Sequence, residues 1–498
     1  MSNVEKYREY RERLKNIYYA VNVLSFDEAT VCPKNDKENS MNVQNYFMMQ
    51  ADKIITSDEY FNLVNELNNN PEGLNETEKA IIKKELEKLI KERKIPDKLR
   101  EEGYDVITKA TLSWEHGKET SDYSEFDKYI KDEVNYYKKY IKCLEGKYKG
   151  YDVLLDEMED DFTEEMYDEF FKKLEDEIYP LLKKILKMPK KYNENIKNVK
   201  FDIDKQRKLT KRICSMMGYD DTNGYIGETL HPFTNGFNSN DVRTTTSYSE
   251  DLLFSNIFSV MHEVGHAIYE LQVNKEYDGT IFQGGASCAL HESQSRFFEN
   301  YLGRSKAFIH YLYPILKEYF NDELKDYTLD DIFYYVNDVY AQFTRTEADE
   351  LTYPFHVLIR YNIEKNLFSG KLNTDGISDE FNSQMEKYLG IKPKDKREGC
   401  YQDIHWASGF GYFPTYALGS AMSAQFYYSM KNDIDIDSCM EKGDFLTIRK
   451  WLGEHIHKYG ASKKNLEIVK LATGSDFNPD YYIKYLKEKF SLIYGIEE

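Results

Sequence analysis

The chain has 498 residues, with 67 lysines and arginines against 87 aspartates and glutamates, so its formal net charge is −20. Hydrophobic residues make up 41% and aromatic residues 15%, which excludes a mainly disordered chain, because disordered chains this acidic are poor in aromatics. The acidic balance also argues against a nucleic-acid partner, since neutralising phosphates requires clustered lysine and arginine. We therefore expect an ordered, soluble globular protein.

The first residues are charged, and the early apolar stretch 17–26 is too short to span a bilayer. The six cysteines are far apart, and none stands at a metal-ligand spacing such as C-x-x-C, so we expect reduced thiols. Together these features predict a cytoplasmic protein with no membrane association.

Apolar residues recur at helical spacing between lysines and glutamates through most of the first 190 residues. This pattern predicts amphipathic helices within 81–93, 126–141 and 170–185, with a break near Pro189. Strand-like alternation is weak everywhere, and hairpin dipeptides between β-branched runs are hard to find. The sequence therefore predicts an all-α fold.

A softer boundary lies at 187–204, where lysine and asparagine dominate and apolar content drops. Nine of the ten histidines and most of the glycines follow it. We interpret 1–498 as a single domain in which helices of 1–195 support a region, 196–498, that carries the chemistry. Two independent domains are the alternative.

The segment 251–277 is apolar enough to form a mostly buried helix, and it contains the pattern H-E-x-x-H as His262, Glu263 and His266. Residues i and i+4 lie on one face of a helix, so both imidazoles can reach one metal ion. Zn²⁺ suits two imidazoles and a carboxylate with a fourth position for water, and Glu263 is then the candidate general base. The alternative is two histidines on a half-buried helix, satisfied by hydrogen bonds.

Downstream, Glu292 begins another apolar helix and is a candidate third ligand. The alternative for Glu292 is a helix salt bridge with Arg296 at i+4. The neighbouring His291 is a candidate to orient a ligand, or else a core histidine.

Six motifs occur in order along the chain. They are His231-Pro232-Phe233, D-x-R-x-T at Asp241, Arg243 and Thr245, His262 to His266, His291 to Gln294, Thr344 to Asp349, and G-x-x-Q-D-x-H-W from Gly399 to Trp406. Together they resemble the thermostable (Taq-type) metallocarboxypeptidase family, and the likeness runs from about residue 18 onward. The family's isoleucine in I-R-x-x-A-D is Thr344 here, and its usual tryptophan before Asp27 is Phe26.

The resemblance implies an all-helical, saddle-shaped peptidase with a deep substrate groove, which is usually a homodimer. It implies a carboxypeptidase that releases single residues from peptide C-termini with broad side-chain tolerance. It also implies His262, His266 and Glu292 as ligands of one Zn²⁺ per chain, with another divalent ion such as Co²⁺ as an alternative, and Glu263 as the catalytic base.

Such an enzyme must recognise a free carboxylate, and arginine is the natural bidentate partner. Arg345 is our first candidate, by chemistry and by motif. Arg243 is the second, because its D-x-R-x-T segment, with Asp241, resembles the element that closes one end of the groove. The alternative for each is a buried arginine paired with an aspartate, Asp349 or Asp241.

The remaining candidates concern the oxyanion and the peptide backbone. His231 and His405 are candidates to stabilise the oxyanion, and Tyr412 and Tyr416 resemble tyrosines that serve this purpose in related helical zinc peptidases. Gln402, with Asp403, is a candidate to orient His405 or to bind the peptide backbone.

Two other functions remain open on sequence grounds. One is a helical zinc oligoendopeptidase or dipeptidyl carboxypeptidase with similar coordination, against which the D-x-R-x-T and G-x-x-Q-D-x-H-W motifs argue. The other is a catalytically silent helical binding protein, against which the intact Glu263 argues. The net charge further predicts a preference for basic peptides, weakened by salt.

Overall fold

The computed structural model describes residues 1–229, 232–407 and 409–497. Residues 3–216 are mainly helical, as the apolar periodicity predicts. The helices are α1 (Asn3–Thr30), α2 (Lys37–Ile55), α3 (Asp58–Asn69), α4 (Glu76–Glu92), α5 (Asp97–Thr120), α6 (Phe126–Leu144), α7 (Asp152–Met158), α8 (Glu164–Lys173), α9 (Tyr179–Ile185) and α10 (Ile203–Met216).

Helices also dominate the second half of the described chain. They are α11 (Leu253–Leu271), α12 (Cys288–Arg296), α13 (Lys306–Phe320), α14 (Leu329–Val336), α15 (Tyr353–Ser369), α16 (Ile377–Leu389), α17 (Phe413–Met430), α18 (Ile436–Lys442), α19 (Phe445–His455), α20 (Asn465–Thr473) and α21 (Asp480–Tyr494). Two π-helical segments, Leu174–Ile178 and Phe297–Gly303, continue α8 and α12. Short 3-10 turns lie at Lys34–Asp36, Glu194–Asn198, Lys275–Tyr277, Arg345–Glu347, Thr374–Gly376, Cys400–Gln402, Ile404–Ala407 and His457–Ser462.

A small sheet interrupts the helices, and the sequence pattern did not predict it. Its strands are β1 (Gly224–Glu228), β2 (Thr234–Asn238) and β3 (Asp241–Thr246), in the order β1-β3-β2. The strand β3 pairs with β1 in parallel and with β2 antiparallel. These strands have five or six residues, and β1 contains two glycines while β2 contains two asparagines and a glycine, so neither of them carries a clear alternation. The all-α class is otherwise confirmed.

Buried side chains form two clusters. The larger runs from Ile95 to Tyr494 and includes the faces of α11, α12, α15 and α17. The smaller joins α1 to α4, from Tyr7 to Leu89. Among the described helices, none has both the length and the apolar character needed to cross a bilayer.

Candidate metal centre

The helix α11 carries the H-E-x-x-H pattern against α12. Apolar residues along most of its length are buried, and this burial stabilises the helix in the larger core. At Gly265, between the two histidines, an added Cβ would lie 2.9 Å from the Cα of Ser295 and 3.0 Å from the carbonyl oxygen of Gln294. Glycine is therefore required here so that the backbones of α11 and α12 can approach each other.

The three predicted metal ligands converge at this crossing. The Oε2 atom of Glu292 lies 3.6 Å from Nε2 of His262 and 3.5 Å from Nε2 of His266. One donor atom from each residue lies within 4.8 Å of the other two. Two imidazole nitrogens and one carboxylate oxygen are a donor set that fits a divalent ion such as Zn²⁺.

Glu292 lies on α12, and α17 packs closely over it. An added Cβ at Gly419 of α17 would lie 2.8 Å from the carbonyl oxygen of Ala289 and 2.9 Å from Cβ of Glu292. Ser287 caps α12 by accepting the N–H of Leu290, which fixes the first turn of the helix just before Glu292. Backbone contacts therefore set the position of the third ligand.

Charged neighbours hold Glu292 and His262 in one orientation. The Nε atom of Arg296 donates to Oε1 of Glu292 at 2.7 Å, and Nδ1 of His262 lies 2.9 Å from Oε2 of Glu299. Burial acts to raise the pKa of Glu292, but Arg296 and His262 outweigh it and hold that pKa well below its usual range. The salt bridge with Arg296 is therefore compatible with metal binding by Glu292, because Arg296 contacts Oε1 and leaves Oε2 facing the two histidines.

A chain of side chains extends from His266 to Glu270. The Nδ1 atoms of His266 and His291 lie 2.6 Å apart, and Nε2 of His291 lies 2.7 Å from Oε1 of Glu270. A metal ion bound through Nε2 of His266 would leave the proton on Nδ1, which would donate to Nδ1 of His291, and Nε2–H of His291 would donate to Glu270. Metal binding would therefore select one tautomer of each histidine.

Sequence reasoning missed Glu299 and Glu270 as partners of the histidines. A signal was available, because Glu270 lies one helical turn after His266 and Glu299 lies seven residues after Glu292. Carboxylates commonly orient metal-binding histidines, so acidic residues close to the ligands in sequence are reasonable candidates for such partners.

Glu263 lies beside the ligands and contacts the sheet. Its Oε2 atom accepts a hydrogen bond of 2.6 Å from Oγ1 of Thr234, the first residue of β2. Burial raises the pKa of Glu263. Thr234 follows the His231-Pro232-Phe233 motif directly, and His231 itself lies outside the described residues.

A second cluster brings Arg345 to the G-x-x-Q-D-x-H-W segment. Nη2 of Arg345 donates to Oδ1 of Asp403 at 3.0 Å, and the backbone N–H of Arg345 donates to Oε1 of Gln402 at 2.9 Å. The partner of Arg345 is thus Asp403 and not Asp349, the alternative considered from the sequence. Asp349 instead accepts the N–H groups of Leu351 and Thr352 just before α15.

Aromatic side chains complete this cluster. The rings of His405 and Tyr412 stack with centroids 5.4 Å apart, and Nε2 of His405 lies 3.0 Å from the hydroxyl of Tyr416. The Arg345 guanidinium lies 4.5 Å from the centroid of the Tyr416 ring. Burial, with Arg345, lowers the pKa of His405 to about 4, so this imidazole is neutral at pH 7.

Tyr353 joins the two clusters. Its hydroxyl accepts a hydrogen bond of 3.2 Å from Nη1 of Arg345, and the guanidinium of Arg296 lies 4.1 Å from the centroid of its ring. Because Arg296 binds Glu292, three contacts, through Arg296 and Tyr353, connect the metal ligands to Arg345.

Arg243 lies in β3 and forms its ion pair within the same strand. Its Nε and Nη2 atoms donate to the two carboxylate oxygens of Asp241 at 3.0 and 2.8 Å, so the alternative pairing considered for Arg243 is the one observed. The guanidinium also lies 4.3 Å from the centroid of Phe237 and 5.6 Å from that of Phe26. Phe26 therefore packs beside the D-x-R-x-T motif.

The model of one protein family, described as "Carboxypeptidase Taq (M32) metallopeptidase", matches residues 6–490 of the chain. Carboxypeptidase 1 of Bacillus subtilis is 37% identical over 495 residues, which cover 98% of each chain. Thermostable carboxypeptidase 1 of Pyrococcus furiosus is 35% identical over 487 residues, or 97% of each.

Solved structures of carboxypeptidases are also similar to this chain. A structure of Pyrococcus furiosus carboxypeptidase superposes with a TM-score of 0.93 at 34% identity, over 98% of this chain and 99% of that one. The M32 carboxypeptidase of Deinococcus radiodurans gives a TM-score of 0.93 at 25% identity over the whole of both chains. The chain therefore belongs to the carboxypeptidase Taq (M32) family and is a metal-dependent carboxypeptidase.

Proposed function

We propose that the chain releases single residues from the C-termini of peptides with broad side-chain tolerance, using one Zn²⁺ held by His262, His266 and Glu292. The observation that carries this proposal is the convergence of three donor atoms within 4.8 Å of one another, beside the buried Glu263. Co²⁺ is the alternative ion, because the same donor types accept it.

A divalent ion bound there would lower the pKa of a water molecule and polarise the scissile carbonyl. Glu263 receives the proton of the attacking water on its carboxylate and later delivers it to the nitrogen of the leaving residue. The hydroxyl of Thr234, 2.6 Å from Oε2, holds that carboxylate in place.

The second cluster supplies substrate recognition in this proposal. Arg345 binds the C-terminal carboxylate, while Gln402 holds the backbone of Arg345 and contributes to peptide binding. Tyr412, Tyr416 and the neutral His405 line the side where the oxyanion develops, and His231 remains a candidate there on motif grounds. Arg243 and Asp241 close one end of the groove and limit substrate length.

The proposal also covers the domain organisation, the oligomeric state and the cellular location of the chain. We propose one catalytic body, because helices from both halves of the chain contribute to the larger buried cluster. We also propose a homodimer, which the family resemblance supports. All six cysteines are free thiols, which is consistent with a cytoplasmic protein.

Replacement of the base tests the proposed chemistry. Glu263→Gln keeps the size of the side chain but cannot accept the proton, so we expect kcat to fall by about 10³-fold or more, while metal content stays near one ion per chain. Metal analysis and timed mass spectrometry of one model peptide measure both quantities. Full activity of this variant would contradict the assignment of the base.

The same mass spectrometry separates the alternative functions. We expect a ladder of products that differ by one residue from the C-terminus. Internal cuts or loss of dipeptides would indicate an oligoendopeptidase or a dipeptidyl carboxypeptidase, and no cleavage with metal bound would indicate a silent binding protein.

A further inference from the structure

Two buried arginines share one carboxylate behind the aromatic cluster. Nη2 of Arg345 lies 3.0 Å from Oδ1 of Asp403, and Nε of Arg360 lies 2.6 Å from Oδ2. The side chains of Asp403, Arg345 and Arg360 are 7%, 4% and 0% exposed. Each arginine therefore occupies a different oxygen of a single buried anion.

Other groups around this trio do not balance its charge. In the described part of the chain, Asp403 is the only carboxylate that forms an ion pair with either arginine. His405 is neutral at pH 7, and burial, together with Arg360, holds the pKa of His356 well below its ordinary value. The cluster thus holds two guanidinium cations against one carboxylate, an excess of one positive charge.

The excess charge is placed asymmetrically. Arg360 lies on α15 with its guanidinium 5.3 Å from the centroid of Phe381, and it is fully enclosed. Arg345 is the arginine that contacts the hydroxyl of Tyr353 and the ring of Tyr416. Of the two arginines, Arg345 is therefore the one that faces the metal ligands, through its contact with Tyr353.

We propose that Arg360 is a positioning residue. Its ion pair with Oδ2 of Asp403 balances the charge of that carboxylate, so that Arg345 keeps a net positive charge for the C-terminal carboxylate of the peptide. This inference rests on the proposed function, in which Arg345 binds that carboxylate. A buried charge in excess is unfavourable until a counterion arrives, and a carboxylate that forms charge-assisted hydrogen bonds with Arg345 supplies one. Without Arg360, Asp403 and Arg345 would form a neutral pair with less attraction for an anion.

A pair of variants separates charge from hydrogen bonding. Arg360→Gln can still donate a hydrogen bond to Asp403 but carries no charge, whereas Arg360→Lys keeps the charge. We expect KM for a model peptide to rise about tenfold or more in R360Q, with kcat within about threefold, because Asp403 then neutralises Arg345 and the attraction for the terminal carboxylate weakens. R360K should keep KM within about threefold of the unmodified enzyme. Equal KM values in R360Q and R360K would overturn the proposal.

A charge-balanced double variant gives a second test. R360Q combined with Asp403→Asn removes one charge of each sign, so the excess positive charge on Arg345 returns. We expect KM in the double variant to recover most of the tenfold rise. A purely structural role for Arg360 predicts a double variant that binds more weakly than R360Q, and that result would overturn the proposal.

Separate control measurements test whether the variants fold and whether the proposed function holds. Thermal unfolding is measured for every variant, and Arg360→Met, which keeps the aliphatic stem, replaces R360Q if R360Q does not fold. Loss of the fold in both neutral variants while R360K folds would assign Arg360 to stability and overturn the proposal. Failure of the unmodified enzyme to release C-terminal residues would instead refute the proposed function.

Discussion

Each candidate metal ligand contacts a second side chain that determines which of its atoms faces the other ligands. Glu299 lies against Nδ1 of His262, and Arg296 binds Oε1 of Glu292. His291 lies against Nδ1 of His266. Only Nε2 of each histidine and Oε2 of the glutamate then remain directed at one another. At the scale of single residues, the donor set is thus selected by its neighbours.

Replacing His291 tests this selection. His291→Phe breaks the chain from His266 to Glu270, so we expect metal affinity to fall about 10- to 100-fold, as is usual when a partner of a metal-binding histidine is lost. Competition with a chelator measures the affinity. The control is His310→Phe, at an exposed position of α13, and an equal loss in both variants would contradict the assignment.

At the scale of elements, one buried carboxylate joins three parts of the fold. Glu159, just after α7, accepts the N–H of Ala289 in the first turn of α12 and the side-chain N–H of Asn465 in α20. It is fully buried, and this burial raises the pKa of Glu159 to about 7. An acceptor at the N-terminus of α12 stabilises the helix that carries Glu292.

The raised pKa makes stability depend on pH. The folded protein holds a proton on Glu159 that the unfolded chain releases above its ordinary pKa of 4.5, so this stabilisation is present below pH 4.5 and is lost as the pH rises to about 7. Relative to Glu159→Gln, we expect the unmodified protein to lose up to about 1.4 kcal/mol per pH unit in that window. Thermal unfolding from pH 5 to 8 measures this loss.

The matched control for this measurement is Glu169→Gln, an exposed change of the same kind on α8. A stability difference between the unmodified protein and E159Q that is constant across this pH range would contradict the protonated state assigned to Glu159.

The sequence predicts the helices of this fold better than it predicts the short strands or the long-range side-chain pairs. The helices and the ligand face of α11 follow from periodicity, because i, i+4 spacing is a local property. The strands β1 and β2 are not predicted, because each has only five residues, with two glycines in β1 and two asparagines and a glycine in β2, and shows no clear alternation. The pairing of Arg345 with Asp403 is not predicted either, because the two are 58 residues apart, whereas the nearer Asp349 binds backbone N–H groups at the start of α15.

At the scale of the whole molecule, we expect the net charge of −20 to act on substrates before they reach the site. A negative potential attracts cationic peptides and raises their rate of encounter, and salt screens that attraction. The charge excess at Arg345 is local and buried, so it governs the terminal carboxylate and not the approach of the whole peptide.

Matched peptides test this long-range attraction. We expect kcat/KM for a lysine-containing peptide to exceed that for its glutamate counterpart several-fold at low ionic strength, and the ratio to approach one at high salt. The charge is placed several residues from the scissile bond, so that contacts at the metal ligands stay the same. Equal values at low salt would contradict a role for the net charge.

The two glycines at the helix crossings have a consequence for metal binding itself. Contacts near 3 Å at Gly265 and Gly419 leave no room for a side chain, so the spacing of α11, α12 and α17 is determined when the backbone folds. The conformational entropy of bringing three donor atoms together is then lost during folding and not during metal binding. Metal affinity in such a pre-organised site reflects the strength of the coordinate bonds more than the rearrangement of the protein.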